Sequence, residues 1–267
     1  MQIRLPRIVG TAALFAALPG LGFAADTEQL ANELANPIAN LATVPIEYNL
    51  DSNIGPSEDG EVWSLKFTPV YPVEVNDNWN LISRAIFSYV DQDLPDSGIN
   101  ETGWSDLALS LYFTPKMVGA SGIIWGVGPV LLFDTATEDS MGTGRYGAGP
   151  AAVALKQSGP WTVGGLMNYV TDVGGDGDRE DIESAFFQPF LSYTFNAKWS
   201  MTLQSEITRD LENDDTSAFA LFQVNRMFRI GPQIMQWRLG VKHWYEQPQF
   251  GPDSTEINAR LTFLFPK

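Results

Sequence analysis

Residues 255–265 read Thr-Glu-Ile-Asn-Ala-Arg-Leu-Thr-Phe-Leu-Phe. Ile257, Ala259, Leu261, Phe263 and Phe265 alternate with Glu256, Asn258, Arg260 and Thr262. A period of two sends one set to each face of a sheet. Working back from this stretch, eleven more segments carry strand signals, at about 44–53, 61–72, 79–90, 104–114, 122–133, 145–156, 161–171, 182–195, 199–209, 216–228 and 234–245. Segment 145–156, rich in Gly and Ala, shows no clear phase. The connections after odd segments are mostly long and hold twenty acids against one base, Arg179. Those after even segments are shorter and hold Glu74 and Asp77 against Lys116, Lys198 and Arg229. Long acidic loops on one side, short turns on the other and an even strand count describe an all-β fold, a twelve-stranded antiparallel transmembrane β-barrel. The apolar set then faces lipid and the polar set the lumen, so Leu65, Leu109, Leu203, Leu239 and Leu261 are expected outside and Ser110, Gln204 and Thr262 inside. A soluble β-sandwich is the competing fold.

The tryptophans favour the barrel. Trp79, Trp125, Trp161, Trp199 and Trp237 fall toward the short-turn side, and Trp63, Trp104 and Trp244 toward the long-loop side. Such rings prefer the two membrane–water interfaces.

The N-terminus suggests export. Arg4 and Arg7 precede an apolar run, Ile8 to Leu18, and Gly22-Phe23-Ala24 offers a cleavage site. Residues 1–24 read as a signal peptide, 25–42 as a periplasmic N-terminal segment and 43–267 as the barrel. Leu30, Leu34, Ile38 and Leu41 recur at helical spacing, and Asn36-Pro37 should bend or stop the helix. The segment either plugs the periplasmic mouth or hangs free. The chain has no cysteine and a formal net charge of −16. A Gram-negative envelope protein fits the first, and the second argues against nucleic-acid partners.

Several stretches resemble one family. They are Asn78-Trp79-Asn80-Leu81-Ile82-Ser83-Arg84, Ile124-Trp125-Gly126-Val127-Gly128-Pro129, Gly147-Ala148-Gly149-Pro150 through Gln157, Gly159-Pro160-Trp161, Gly175-Asp176-Gly177-Asp178-Arg179, Gln188-Pro189-Phe190 and Leu264-Phe265-Pro266-Lys267. Together they resemble Gram-negative outer-membrane proteins regarded as transporters, related to those of the meta-pathway of phenol degradation and sometimes mislabelled neuromedin U. Gly103-Trp104-Ser105-Asp106 departs from the family's Gly-Leu-Gly-Asp. The resemblance implies an outer-membrane barrel that moves a solute, without naming the solute.

Strand phase places five bases in the lumen: Lys66, Arg84, Arg238, Lys242 and Arg260. Glu47, Asp51, Asp106, Glu206 and Glu256 are the acids. Closure makes the base-bearing strands neighbours, and a basic constriction selects anions. Alternatively the lumen is a closed, salt-bridged filling in which Glu47 and Asp51 pair with Arg260 and Lys66, giving a structural or adhesive surface protein. A lipid hydrolase is a third reading. It is weakened because the sole histidine, His243, points toward lipid by phase and is followed by Trp244-Tyr245-Glu246-Gln247-Pro248, without the Ser and Asn that follow the histidine in outer-membrane phospholipases. No resident cofactor is expected. Asp172, Asp176, Asp178, Glu180 and Asp181 share one Gly-rich loop and could offer oxygen ligands to calcium. The other reading is a solvated loop bridged loosely by divalent ions to lipopolysaccharide. Outer-membrane lipid and a small solute are the expected partners.

Overall fold

The computed structural model describes residues 27–196, 198–247 and 251–266, so the signal-peptide reading lies outside the described residues. A helix, α1 (Thr27–Leu34), precedes fourteen strands: β1 (Ala42–Ile54), β2 (Gly60–Phe67), β3 (Val70–Glu74), β4 (Trp79–Leu94), β5 (Ile99–Trp104), β6 (Leu107–Pro115), β7 (Ile123–Phe133), β8 (Arg145–Ser158), β9 (Trp161–Gly175), β10 (Glu183–Thr194), β11 (Trp199–Asp210), β12 (Asp215–Ile230), β13 (Gln233–Glu246) and β14 (Thr255–Phe265). These make twelve staves, because two staves are interrupted. Thr68-Pro69 separates β2 from β3, and Ser105-Asp106 separates β5 from β6. Both halves of each broken stave still pair with β4. Every pairing is antiparallel between neighbours, and β14 returns to β1 from Ala42↔Phe265 to Tyr48↔Ala259. Closure leaves no unpaired edge, which lipid would not tolerate.

The phase read from the sequence holds. Ser110, Gln204 and Thr262 are buried inside, while Leu203 and Leu239 are 50% and 52% exposed outside. Leu65, Leu109 and Leu261 are only partly exposed. The reason is lateral packing on the same face: Leu65 sits between Tyr48 and Tyr89, and Leu261 between Ile46 and Trp237. Replacing Leu203 by Arg in this band is expected to destabilise the barrel by about 2–4 kcal/mol, read from urea unfolding in lipid vesicles. A loss indistinguishable from zero there would mean that the face does not meet lipid.

The aromatic girdles form where expected, with one exception. Trp79 packs on Trp125, Trp199 on Trp237, and Trp161 on Tyr193 at the short-turn end. Trp63 and Trp104 gather around Tyr89 toward the other end. Trp244 instead turns inward, where its indole N–H donates to Asp51 at 2.6 Å.

The segment ahead of β1 lies inside the barrel. Helix α1 ends at Leu34 because the Asn36 side chain accepts from Ile38 N at 3.0 Å and Pro37 has no N–H to give. Leu30, Ala31, Ala39 and Leu41 pack against the inward-facing Met227, Ile234 and Leu264. Ile38 packs against the other wall, on Ile82, Tyr112, Val153 and Leu166. Gln157 Nε2 donates to Asn32 O at 2.8 Å. The segment is thus folded into the mouth of the barrel at the short-turn end and does not hang free.

Its presence explains why the inner wall departs from the polar expectation. From β6 to β10 the inward residues are largely apolar, and in β8 the phase resolves with Ala151, Val153 and Leu155 inside and buried. Leu264, the apolar residue on the polar face of the opening stretch, is buried by α1 for the same reason. The phase of β8 is obscured partly by its glycines. A Cβ at Gly149 would lie 1.8 Å from the Tyr169 carbonyl oxygen, so the backbones approach too closely for a larger residue.

Candidate functional site in the lumen

Closure creates the central feature. Glu47 on β1 is the Cα partner of Arg260 on β14 and of Lys66 on β2, and all three side chains point inward. Arg260 forms an ion pair with Glu47, and Lys66 Nζ lies 3.5 Å from its other carboxylate oxygen. The Glu47 side chain is 4% exposed. A buried carboxylate is tolerated when paired in this way.

Two further bases lack such partners. Arg238 pairs in register with Arg260, donates Nε–H to Gln236 Oε1 at 2.7 Å and approaches Leu34 O at 3.5 Å. Among the described residues no carboxylate lies within ion-pair distance of Arg238 or of Arg84. Glu206, across the lumen, accepts from the amides of Gln188 at 3.0 Å and Gln204 at 3.2 Å. Lys66, Arg84, Arg238, Arg260, Glu206 and Glu33 of α1 line a cavity of about 140 Å³ between the N-terminal segment and the wall. With Glu47 behind it, the cavity has four bases against three acids, a positive balance.

Its lining is chemically mixed. Opposite the bases, Leu166 and Phe190 stand among the polar Gln188, Gln204 and Glu206, Val70 lies beside Arg84 as its Cα partner, and the inserted segment contributes Leu34, Ala39 and Leu41. Above the cavity the inward residues are small and polar. Inward-facing Ser64, Ser88, Asn168 and Thr208 keep part of their exposure, which a filled barrel would remove.

Toward the outer rim the sequence-predicted residues serve different ends. Asp51 pairs with Lys242, not with Lys66. The register explains this. Lys66 is the Cα partner of Glu47, and Asp51 lies two inward positions further up β1. The inward residue between them, Asn49, accepts from Asn258 Nδ2 at 2.8 Å. Asp51 is thereby carried to the upper end of β13, where Lys242 reaches it. Lys242 Nζ also lies 5.5 Å from the Phe219 ring centre and 5.4 Å from that of Trp244. Glu256 accepts a hydrogen bond from the Ser52 hydroxyl.

Asp106 is a correction to the pore-lining set. It falls at the break between β5 and β6, and its carboxylate accepts from the backbone N–H groups of Thr135, Ala136 and Thr143 at 3.0, 3.0 and 2.7 Å. It fastens the 134–144 loop to the rim. The acidic loop is also differently arranged. Arg145 binds Asp172 at 2.6 Å, forms an ion pair with Asp181 and donates to Asp176 O at 2.7 Å. Asp176 Oδ1 accepts from Asp178 N at 3.0 Å. A guanidinium thus stands between the carboxylates proposed for calcium, and among the described residues no group of three or more His, Asp or Glu is placed to hold a metal. Arg145 is hidden from sequence reading because it opens a strand and does not belong to the loop. His243 faces outward, with Nδ1 2.8 Å from Thr255 Oγ1.

A closed twelve-stave barrel with a lipid-facing apolar band, aromatic girdles and an internal N-terminal segment defines an outer-membrane β-barrel. Among solved structures the chain is similar to the COG4313 outer membrane channel from Pseudomonas putida F1, at 16% identity over 85% of this chain and 97% of that one, with a TM-score of 0.62. It is also similar to the NanC porin, at 13% identity over 85% of this chain and 100% of that one, with a TM-score of 0.50. These likenesses show the fold. No family model and no curated protein matches the chain, so the narrower resemblance to the phenol-degradation proteins stays an expectation.

Proposed function

We propose that the chain is an outer-membrane channel of a Gram-negative bacterium for passive or selective uptake of a small solute, with a lumen that prefers anions. The observation that carries this is the mid-lumen cavity, where Arg84 and Arg238 face open space without a carboxylate partner among the described residues. Fixed positive charge in a narrow, partly desolvated passage attracts anions and repels cations. The partly exposed polar residues above the cavity are the expected route for solute from outside. In this reading the protein passes its solute without catalysis.

A second reading has one observation in its favour. Ile38 and its apolar neighbours fill the periplasmic half, as in a structural or adhesive barrel with a closed lumen. Solute flux separates the two. Vesicles carrying the purified barrel should release a trapped small anion faster than protein-free vesicles. Equal rates would favour the closed barrel and overturn the channel.

A further inference from the structure

We propose that the mid-lumen cavity takes a small organic monoanion with an apolar body, its charged group on Arg84 and its body against Phe190 and Leu166. This deepens the channel reading and rests on the same site. Phe190 and the inserted segment bring apolar surface into a cavity whose remaining lining is largely charged or polar. A purely inorganic anion would leave the half-buried Phe190 facing water. A neutral apolar molecule would leave the guanidinium of Arg84 desolvated and unpaired, which is costly. An amphiphilic anion satisfies both at once: a carboxylate accepts from Arg84 in charge-assisted hydrogen bonds, and apolar surface is removed from water. Glu47 does not compete for this role, because Arg260 and Lys66 already hold it. Glu206 adds the opposite sign on the far wall, where Gln188 and Gln204 hold it. Its carboxylate faces Lys66 and Arg84 across the lumen and offsets part of their charge, which disfavours a ligand with two negative groups.

The test is thermal unfolding of the full barrel in lipid vesicles, with hexanoate, acetate or hexylammonium as the probe. A ligand that binds only the folded state raises its midpoint by mass action. Hexanoate should do so at a concentration at least roughly tenfold lower than acetate, from the added methylenes. Hexylammonium should give no shift. The hexanoate shift should vanish in Arg84→Gln, and the preference over acetate should shrink in Phe190→Asn. Should Phe190→Asn not fold, Leu166→Asn probes the same side. Equal responses to hexanoate and acetate, or a hexanoate shift that survives Arg84→Gln, would overturn the proposal. The two readings fail separately. Anion flux without a hexanoate-specific shift keeps the channel and removes the amphiphile. A specific shift without flux keeps the binding site and removes the channel.

Discussion

Removal of residues 27–41 is expected to raise the conductance of single barrels in planar bilayers several-fold. Leu30, Ile38 and Leu41 are buried between opposite walls of the lumen, so their segment occupies the passage and does not merely border it. The strands supply their own closed ladder and should still form without the segment. The deletion is not free of cost. Each of the three large side chains contributes roughly 1.5–3 kcal/mol by burial, and the apolar wall left behind meets water. The thermal midpoint should therefore fall as the conductance rises. Beneath the segment, Asn80 Oδ1 and Tyr112 Oη are buried without a hydrogen-bond partner among the described residues, a penalty that water entry would relieve. Ile38→Asp should loosen the segment and give intermediate, fluctuating currents. Unchanged conductance after deletion would mean that the segment leaves the lumen in the membrane.

The second large effect falls on Glu47. Glu47→Ala should destabilise the barrel by about 3–5 kcal/mol in urea unfolding, because it leaves Arg260 and Lys66 close together and uncompensated. Converting the pair, as in Glu47→Leu with Arg260→Met, should cost less than Glu47→Ala alone, since no buried charge is stranded on Arg260. A loss below about 1 kcal/mol for the single change would show that water screens the site as it does surface pairs.

Much of the architecture was legible because it depends on a period of two. Leu203 beside Gln204, or Leu261 beside Thr262, fixes which face meets lipid, and an even count of twelve strand segments, most of them alternating, points to closure. The meeting of Glu47, Lys66 and Arg260 followed from closure, because strands far apart in sequence become neighbours. What escaped was set by tertiary contact. Trp244 reads as an interface residue until Asp51 is seen to accept its N–H. Asp106 reads as a lumen acid, yet a break in the stave lets it fasten a neighbouring loop. The apolar inner wall of β8 and β9 was obscured because alternation separates two faces only when one is polar, and here the inserted segment makes both apolar. Arg145 escaped because its three partners come from a loop far along the chain.

The central claim is that unpaired bases in the mid-lumen choose the ions that pass. The reversal potential of the full barrel in a planar bilayer under a KCl gradient tests it most directly. The account predicts a potential on the chloride side, displaced toward the potassium side when Arg84→Gln and Arg238→Gln are combined. A potential on the potassium side in the unaltered protein, or one that the double substitution leaves in place, would contradict it.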